Sequence, residues 1–158
     1  LKTKKLAIGN RVKITGNVQE YNGMVQISSM QDIAIASEDN IKFIEKDYEI
    51  YNITITADEL KNADASMDRL FVKLENVKVT DMYTTKQGDS AGAITITGTT
   101  PDGKTVTIRT AVLMREDYTQ IKEDYFENKT ITVVGLIETY EGARQVKVVS
   151  INDVTIVE

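Results

Sequence analysis

Residues 94–110 read ITITGTTPDGKTVTIRT, and within them Gly98 to Thr105 fits the phosphate-loop pattern G-x-x-x-x-G-K-[ST] letter for letter. The flanks decide what the stretch is. A phosphate loop follows a buried parallel strand and opens a helix, so that backbone N–H groups and the helix N-terminus converge on phosphate. Here Ile94-Thr95-Ile96-Thr97 and Val106-Thr107-Ile108-Arg109 alternate apolar and polar residues on both sides, the period of a half-buried strand. Pro101-Asp102-Gly103 between them is a turn, and it puts a carboxylate where phosphate would sit. The stretch reads as a β-hairpin rather than a nucleotide site.

The same alternation recurs along the chain, at Val12, Ile14 and Val18, at Ile33 and Ile35, at Ile131 and Val133, at Val146 and Val148, and at Val154 and Ile156. With Thr, Val and Ile in the strands and Tyr21-Asn22-Gly23 and Tyr140-Glu141-Gly142 between them, the pattern predicts a mainly antiparallel β protein. Two helical segments are predicted, Ala57 to Ala65 and Ala111 to about Tyr125, the second from the recurrence of Leu113, Tyr118, Ile121 and Tyr125 at spacings of three to five.

Arg11 to Ile35 aligns with Thr130 to Ile156 once two residues are inserted before the last strand: Gly16 meets Gly135, Tyr21 meets Tyr140, Gly23 meets Gly142, Gln26 meets Gln145 and Asp32 meets Asp153. The match predicts two copies of one hairpin. The Tyr and Gly residues are explained by the turn itself, Gly supplying φ > 0 and Tyr covering the strand end. Ahead of the second copy lie Leu70 to Thr80, the hairpin Ala91 to Thr110 and the segment 111–125. Three strands, a helix and two strands is the order of an OB fold, a five-stranded Greek-key barrel. The expected organisation is a partial OB-like unit of closing strands over 1–56, a helical linker over 57–69 and a complete OB-fold barrel over 70–158. Only about ten residues precede the first copy, so its opening strands are expected from a longer parent chain, from another copy as a strand-exchanged homodimer, or from residues 38–56.

The chain has 158 residues with a 41% hydrophobic share, enough for a packed core without staples. It has no cysteine and no histidine, which excludes disulfides, thiolate metal sites, Cys and Ser/His nucleophilic dyads and imidazole acid/base chemistry. The acidic pairs Asp58-Glu59, Glu116-Asp117 and Glu123-Asp124 fall in or near predicted helices, where neighbours diverge by about 100°. Asp81, Asp89 and Asp102 lack the spacing of a calcium loop. No catalytic residue, metal site or cofactor is expected. No stretch approaches the roughly 18 apolar residues of a membrane span, and membrane insertion is not expected.

GNRVKITGNVQEYNGMVQIS (residues 9–28) followed by ITITADELKNADASMDRLFVKLENVKVTD (residues 53–81) resembles the tandem OB-fold modules that accompany the catalytic domains of large secreted bacterial nucleases and related cell-surface proteins. The resemblance covers most of the chain and implies a β-barrel module, an exported bacterial parent, secreted or at the cell surface, and a connection to nucleic acid. It brings no catalytic residue with it.

The functional expectation is a non-catalytic accessory module that positions neighbouring domains of its parent or engages single-stranded nucleic acid; the alternative is a structural spacer, or a protein-interaction module using an open strand edge. OB folds hold single strands across their second and third strands, with cations on the backbone and aromatic faces under the bases. Those strands supply only Lys104 and Arg109 and no aromatic residue. Tyr83, in the loop before them, and Tyr140, at the last hairpin turn, are the nearest platforms, though each also reads as a packing residue. The net charge of −5 gives no bulk attraction to phosphate. Residues 1–36 carry five cations against two anions, so the N-terminal segment, with Arg11 and Lys13 as candidate contacts, is the expected place for a nucleic-acid backbone, ahead of the complete barrel.

Overall fold

The computed structural model describes residues 12–21, 24–35 and 53–157 and divides the chain into two compact units, 1–50 and 51–158. In the first, β1 (Val12–Tyr21) and β2 (Met24–Ile35) form an antiparallel hairpin from Val12↔Ile35 to Tyr21↔Met24, with a register shift between Thr15↔Asp32 and Asn17↔Ser28 that puts the extra residues on β2. Val18 lies opposite Ile27, with Val25 two residues along the same face, and their exposures are 72%, 50% and 77%.

The second unit opens with β3 (Ile53–Thr54) and α1 (Ala57–Lys61). Thr56 and Glu59 start the helix with a capping box: the Thr56 hydroxyl accepts from the Glu59 N–H at 3.2 Å, and the Thr56 N–H donates to Glu59 Oε2 at 2.8 Å. The helix is shorter than the predicted 57–65, because Asp64 caps a separate 3₁₀ turn at Ala65–Met67. Ile55, Ala57, Leu60 and Ala63 are buried in the main core, so the segment expected as a linker is built into this unit.

β4 (Phe71–Thr84) is the long strand on which the unit is organised. Its buried residues are Val72 and Leu74, then Val77 and Val79. The change of phase is made at Glu75-Asn76, where the ladder shifts and Asn76 takes φ 53, so one extra residue keeps the apolar side facing inward. Beyond it come β5 (Ile94–Thr99), β6 (Thr105–Thr110), β7 (Thr130–Tyr140), β8 (Ala143–Val148) and β9 (Val154–Ile156). β4 pairs with β7 through residues 71–78 and with β5 through residues 78–84, Lys78 facing both Thr130 and Thr99. β5 pairs with β6, β6 runs parallel to β8, and β8 pairs with β7, which closes a ring of five strands. The short strands β3 and β9 extend the sheet beside the β4–β7 seam. Val72, Leu74, Ile96, Ile108, Ile131 and Val146 fill the interior.

The phosphate-loop match is the β5–β6 connection. Thr100 N donates to Lys104 O at 2.9 Å and Gly103 N to Thr100 O at 2.8 Å, with Gly103 at φ 81 as the turn requires.

Residues 111–125 are not the predicted helix. Arg115 N donates to Thr119 O and Ile121 N to Leu113 O, both at 2.9 Å, and Met114 bridges Gln120, so the segment folds back on itself as a loop. Asp117 accepts from the Thr119 N–H and hydroxyl, and Tyr118 takes φ 64, a conformation no helix accommodates. Only Glu123–Tyr125 makes a 3₁₀ turn. Of the spaced residues Leu113 and Ile121 are buried as loop anchors, whereas Tyr118 is 84% exposed, so the spacing does not report a helical face.

Candidate nucleic-acid interface

The registers of the ring line up four side chains across four strands: Tyr83 on β4 faces Thr95 on β5, Thr95 faces Arg109 on β6, and Arg109 faces Lys147 on β8. At the usual strand spacing the row spans about 15 Å. It floors an open groove of about 780 Å³, whose far side is carried by Glu138 and Tyr140 of β7 and Arg144 and Gln145 of β8.

Arg109 is held from three sides. Nη1 donates to Thr95 Oγ1 at 2.9 Å and to Ala93 O at 3.4 Å, and Nη2 donates to Thr85 Oγ1 at 2.8 Å. All three acceptors are neutral, and among the described residues no carboxylate pairs with the guanidinium. The charge is oriented without being cancelled, the condition for recognising an anion. Lys147 lies 3.6 Å from Glu138, whose carboxylate also accepts from Gln145 Nε2 at 2.8 Å, so one of the groove's two acids is paired within it, Glu141 being the other. Arg144 reaches out to Asp68.

Tyr83 and Tyr140 are 57% and 62% exposed, which leaves both rings free to stack. Tyr83 is on β4 rather than in the expected loop, because β4 continues past Thr80 to Thr84 after a second ladder shift between Val79 and Asp81. Tyr140 is the last residue of β7 before the turn at Glu141 and Gly142, both at positive φ.

The structure brings Tyr83, Arg109 and Tyr140 together and separates Lys104 from them. Lys104 precedes β6 at the turn end of the β5–β6 hairpin, hydrogen-bonded to Asp58 of α1 and 3.5 Å from Asp102. The hydrogen bond from Lys104 to Asp58, and the charge of that carboxylate, hold the ammonium above its ordinary pKa. Lys13 lies on β1, opposite Ala34 in the backbone ladder, with its side chain outside the described residues, as is the whole of Arg11.

Lys147, Arg144 and Gln145 join the groove without having been expected from the sequence. A signal exists for two of them: in ARQVKV (143–148) Val146 and Val148 point inward, so Gln145 and Lys147 share the outer face with their β6 neighbours, while Arg144 has no such signal. Among the described residues no group of three or more carboxylates is placed to hold a metal ion. No protein-family model matches the chain, and no curated protein matches it.

Proposed function

We propose that residues 53–157 form an OB-fold binding module, non-catalytic in itself, that holds a single-stranded nucleic acid across the outer face of β5, β6 and β8. The strand order β4-β5-β6-β8-β7 closing back on β4, with its single parallel contact between β6 and β8, supports the OB assignment. The observation that carries the binding role is the convergence of two exposed tyrosines on an oriented, carboxylate-free arginine in one groove. Tyrosine faces supply sequence-tolerant stacking, and Arg109 and Lys147 supply backbone neutralisation. With Glu138 and Glu141 in the same groove, two or three phosphates are the expected count.

Anisotropy titration of labelled single-stranded DNA and RNA tests this. Two or three phosphate contacts correspond to a loss of about tenfold in affinity between about 50 and 200 mM salt. Absence of saturable binding to either strand at the lower salt rejects the reading.

A second reading concerns the first unit. The β1–β2 hairpin has the register of β7–β8 around its turn: Tyr21↔Met24, Gln19↔Gln26 and Val18↔Ile27 correspond to Tyr140↔Ala143, Glu138↔Gln145 and Ile137↔Val146. Ile137 and Val146 are buried, whereas Val18 and Ile27 are exposed. This favours a hairpin that is the closing half of a second OB unit and takes its remaining strands from elsewhere, as a module beside neighbouring domains of an exported parent protein or a strand-exchanged homodimer would. Sedimentation equilibrium separates the two, since exchange requires a concentration-dependent dimer.

A further inference from the structure

A second groove, of about 670 Å³, adjoins the first and runs between α1, the start of β6 and the β7–β8 turn, with Asp58, Lys61, Lys104 and Arg144 on its walls. Thr107, Ala143 and Arg144 line both grooves. The small residues Gly142 and Ala143 lie where the two grooves meet. Ala143 is exposed, and at Gly142, with φ 79, an added Cβ would meet nothing within 4 Å. Neither of these two residues puts a bulky side chain of its own in the way of a flexible chain leaving the first groove.

Among the described residues the second groove carries three cations, Lys61, Lys104 and Arg144, the last two of them paired internally. Lys104 is bound by Asp58 and approached by Asp102, and Arg144 by Asp68. The Asp58 and Lys104 side chains are 59% and 45% exposed. Exposed pairs of this kind contribute little to stability, so an incoming phosphate replaces the carboxylate at small cost.

We propose that the second groove extends the binding track: a phosphate segment of the same single strand passes over Gly142 and Ala143 and docks on Lys61 and Lys104, displacing Asp58, which acts as an internal competitor, while Arg144, only 15% exposed, stays with Asp68. The inference rests on the nucleic-acid reading of the first groove. Its consequence is a length threshold. A strand that fills only the first groove leaves the Asp58–Lys104 pair intact, and a longer strand breaks it.

The test is a series of oligothymidylates of about 4, 8 and 12 nucleotides, within the footprint of single OB modules, titrated against the natural chain and against Asp58→Asn, Lys61→Ala/Lys104→Ala and Arg109→Ala. Thermal melts verify that each variant is folded. The expected result is that Asp58→Asn tightens the longest oligonucleotide about threefold, the scale of an exposed pair, and leaves the shortest unchanged. The double lysine variant weakens only the longer strands and lowers their salt slope by about 1.4, or about 0.7 for each phosphate that no longer meets a lysine. If affinity is independent of length and the second-groove variants match the natural chain while Arg109→Ala still weakens binding, the extension is wrong and the first groove stands alone. Equal tightening of all lengths by Asp58→Asn reduces its role to general charge and overturns the competitor. If no oligonucleotide binds, both readings fall.

Discussion

Thr95 and Arg109 stand directly opposite each other on β5 and β6, and the guanidinium donates to the threonine hydroxyl at 2.9 Å. A lysine at 109 would keep the charge and lose the planar fork that reaches Thr85 and Thr95 together. Arg109→Lys is therefore expected to weaken single-stranded DNA binding about tenfold, the scale of a lost charge-assisted hydrogen bond, at unchanged net charge. Anisotropy titration reads this directly, and affinity equal to that of the natural chain would mean that position 109 contributes charge alone.

Tyr83 and Tyr140 carry no charge, so their removal separates stacking from neutralisation. Tyr83→Ala and Tyr140→Ala are each expected to reduce binding by about 1–3 kcal/mol with no change in salt slope. Because both side chains are more exposed than buried, urea unfolding midpoints are expected to move little. A change of slope with either variant would contradict a stacking role.

Gly135 on β7 is a packing glycine. A Cβ there would lie 2.4 Å from Lys147 O and 2.7 Å from Val146 Cγ1, and the first of these atoms is backbone that cannot swing aside. Gly135→Ala is expected to destabilise the second unit by about 1–3 kcal/mol, the usual cost of overpacking. Urea denaturation checks it, and a midpoint equal to that of the natural chain would show that β7 and β8 separate more easily than their close approach suggests.

The fold's carboxylates give its acid sensitivity a sign. Glu59 is held below its ordinary pKa by the Thr56 N–H and hydroxyl, Asp64 by the Ser66 hydroxyl, Asp102 by the Thr100 hydroxyl and Asp117 by the Thr119 hydroxyl. In each case the unfolded chain binds a proton more readily than the folded one, so stability is present above the ordinary carboxylate pKa and lost as pH falls through the depressed values. Asp153, raised by burial, works in the opposite sense. Among the described residues, four groups against one predict an unfolding free energy of the second unit that declines from about pH 5 downward. A urea series across that range checks it; constant or rising stability would contradict it.

Much of this architecture is legible in the alternation of the strands. The β5–β6 hairpin follows from its flanks, and even the bulge in β4 is written in LFVKLENVKVT, where the apolar phase changes across Glu75-Asn76. The segment 111–125 reads as a helix because buried anchors of a loop and the face of a short helix give similar spacings; Asp117 two residues before Thr119 is the local signal for a turn. The groove is only partly legible. Tyr83, Arg109 and Tyr140 can be named singly, but the parallel β6–β8 contact that places Lys147 beside Arg109 is a long-range pairing that no local pattern encodes.

The seam between β4 and β7 sets Val72 against Gly135. During synthesis the first half of β4 therefore emerges long before the strand that covers it, and the ring cannot close until both Thr130–Tyr140 and Ala143–Val148 have left the ribosome. Until then Val72 and Leu74, buried in the finished unit, and an unpaired strand edge are open to other chains. The closed ring that gives the mature unit its rigid floor thus makes it a late folder, most vulnerable to aggregation while still being translated.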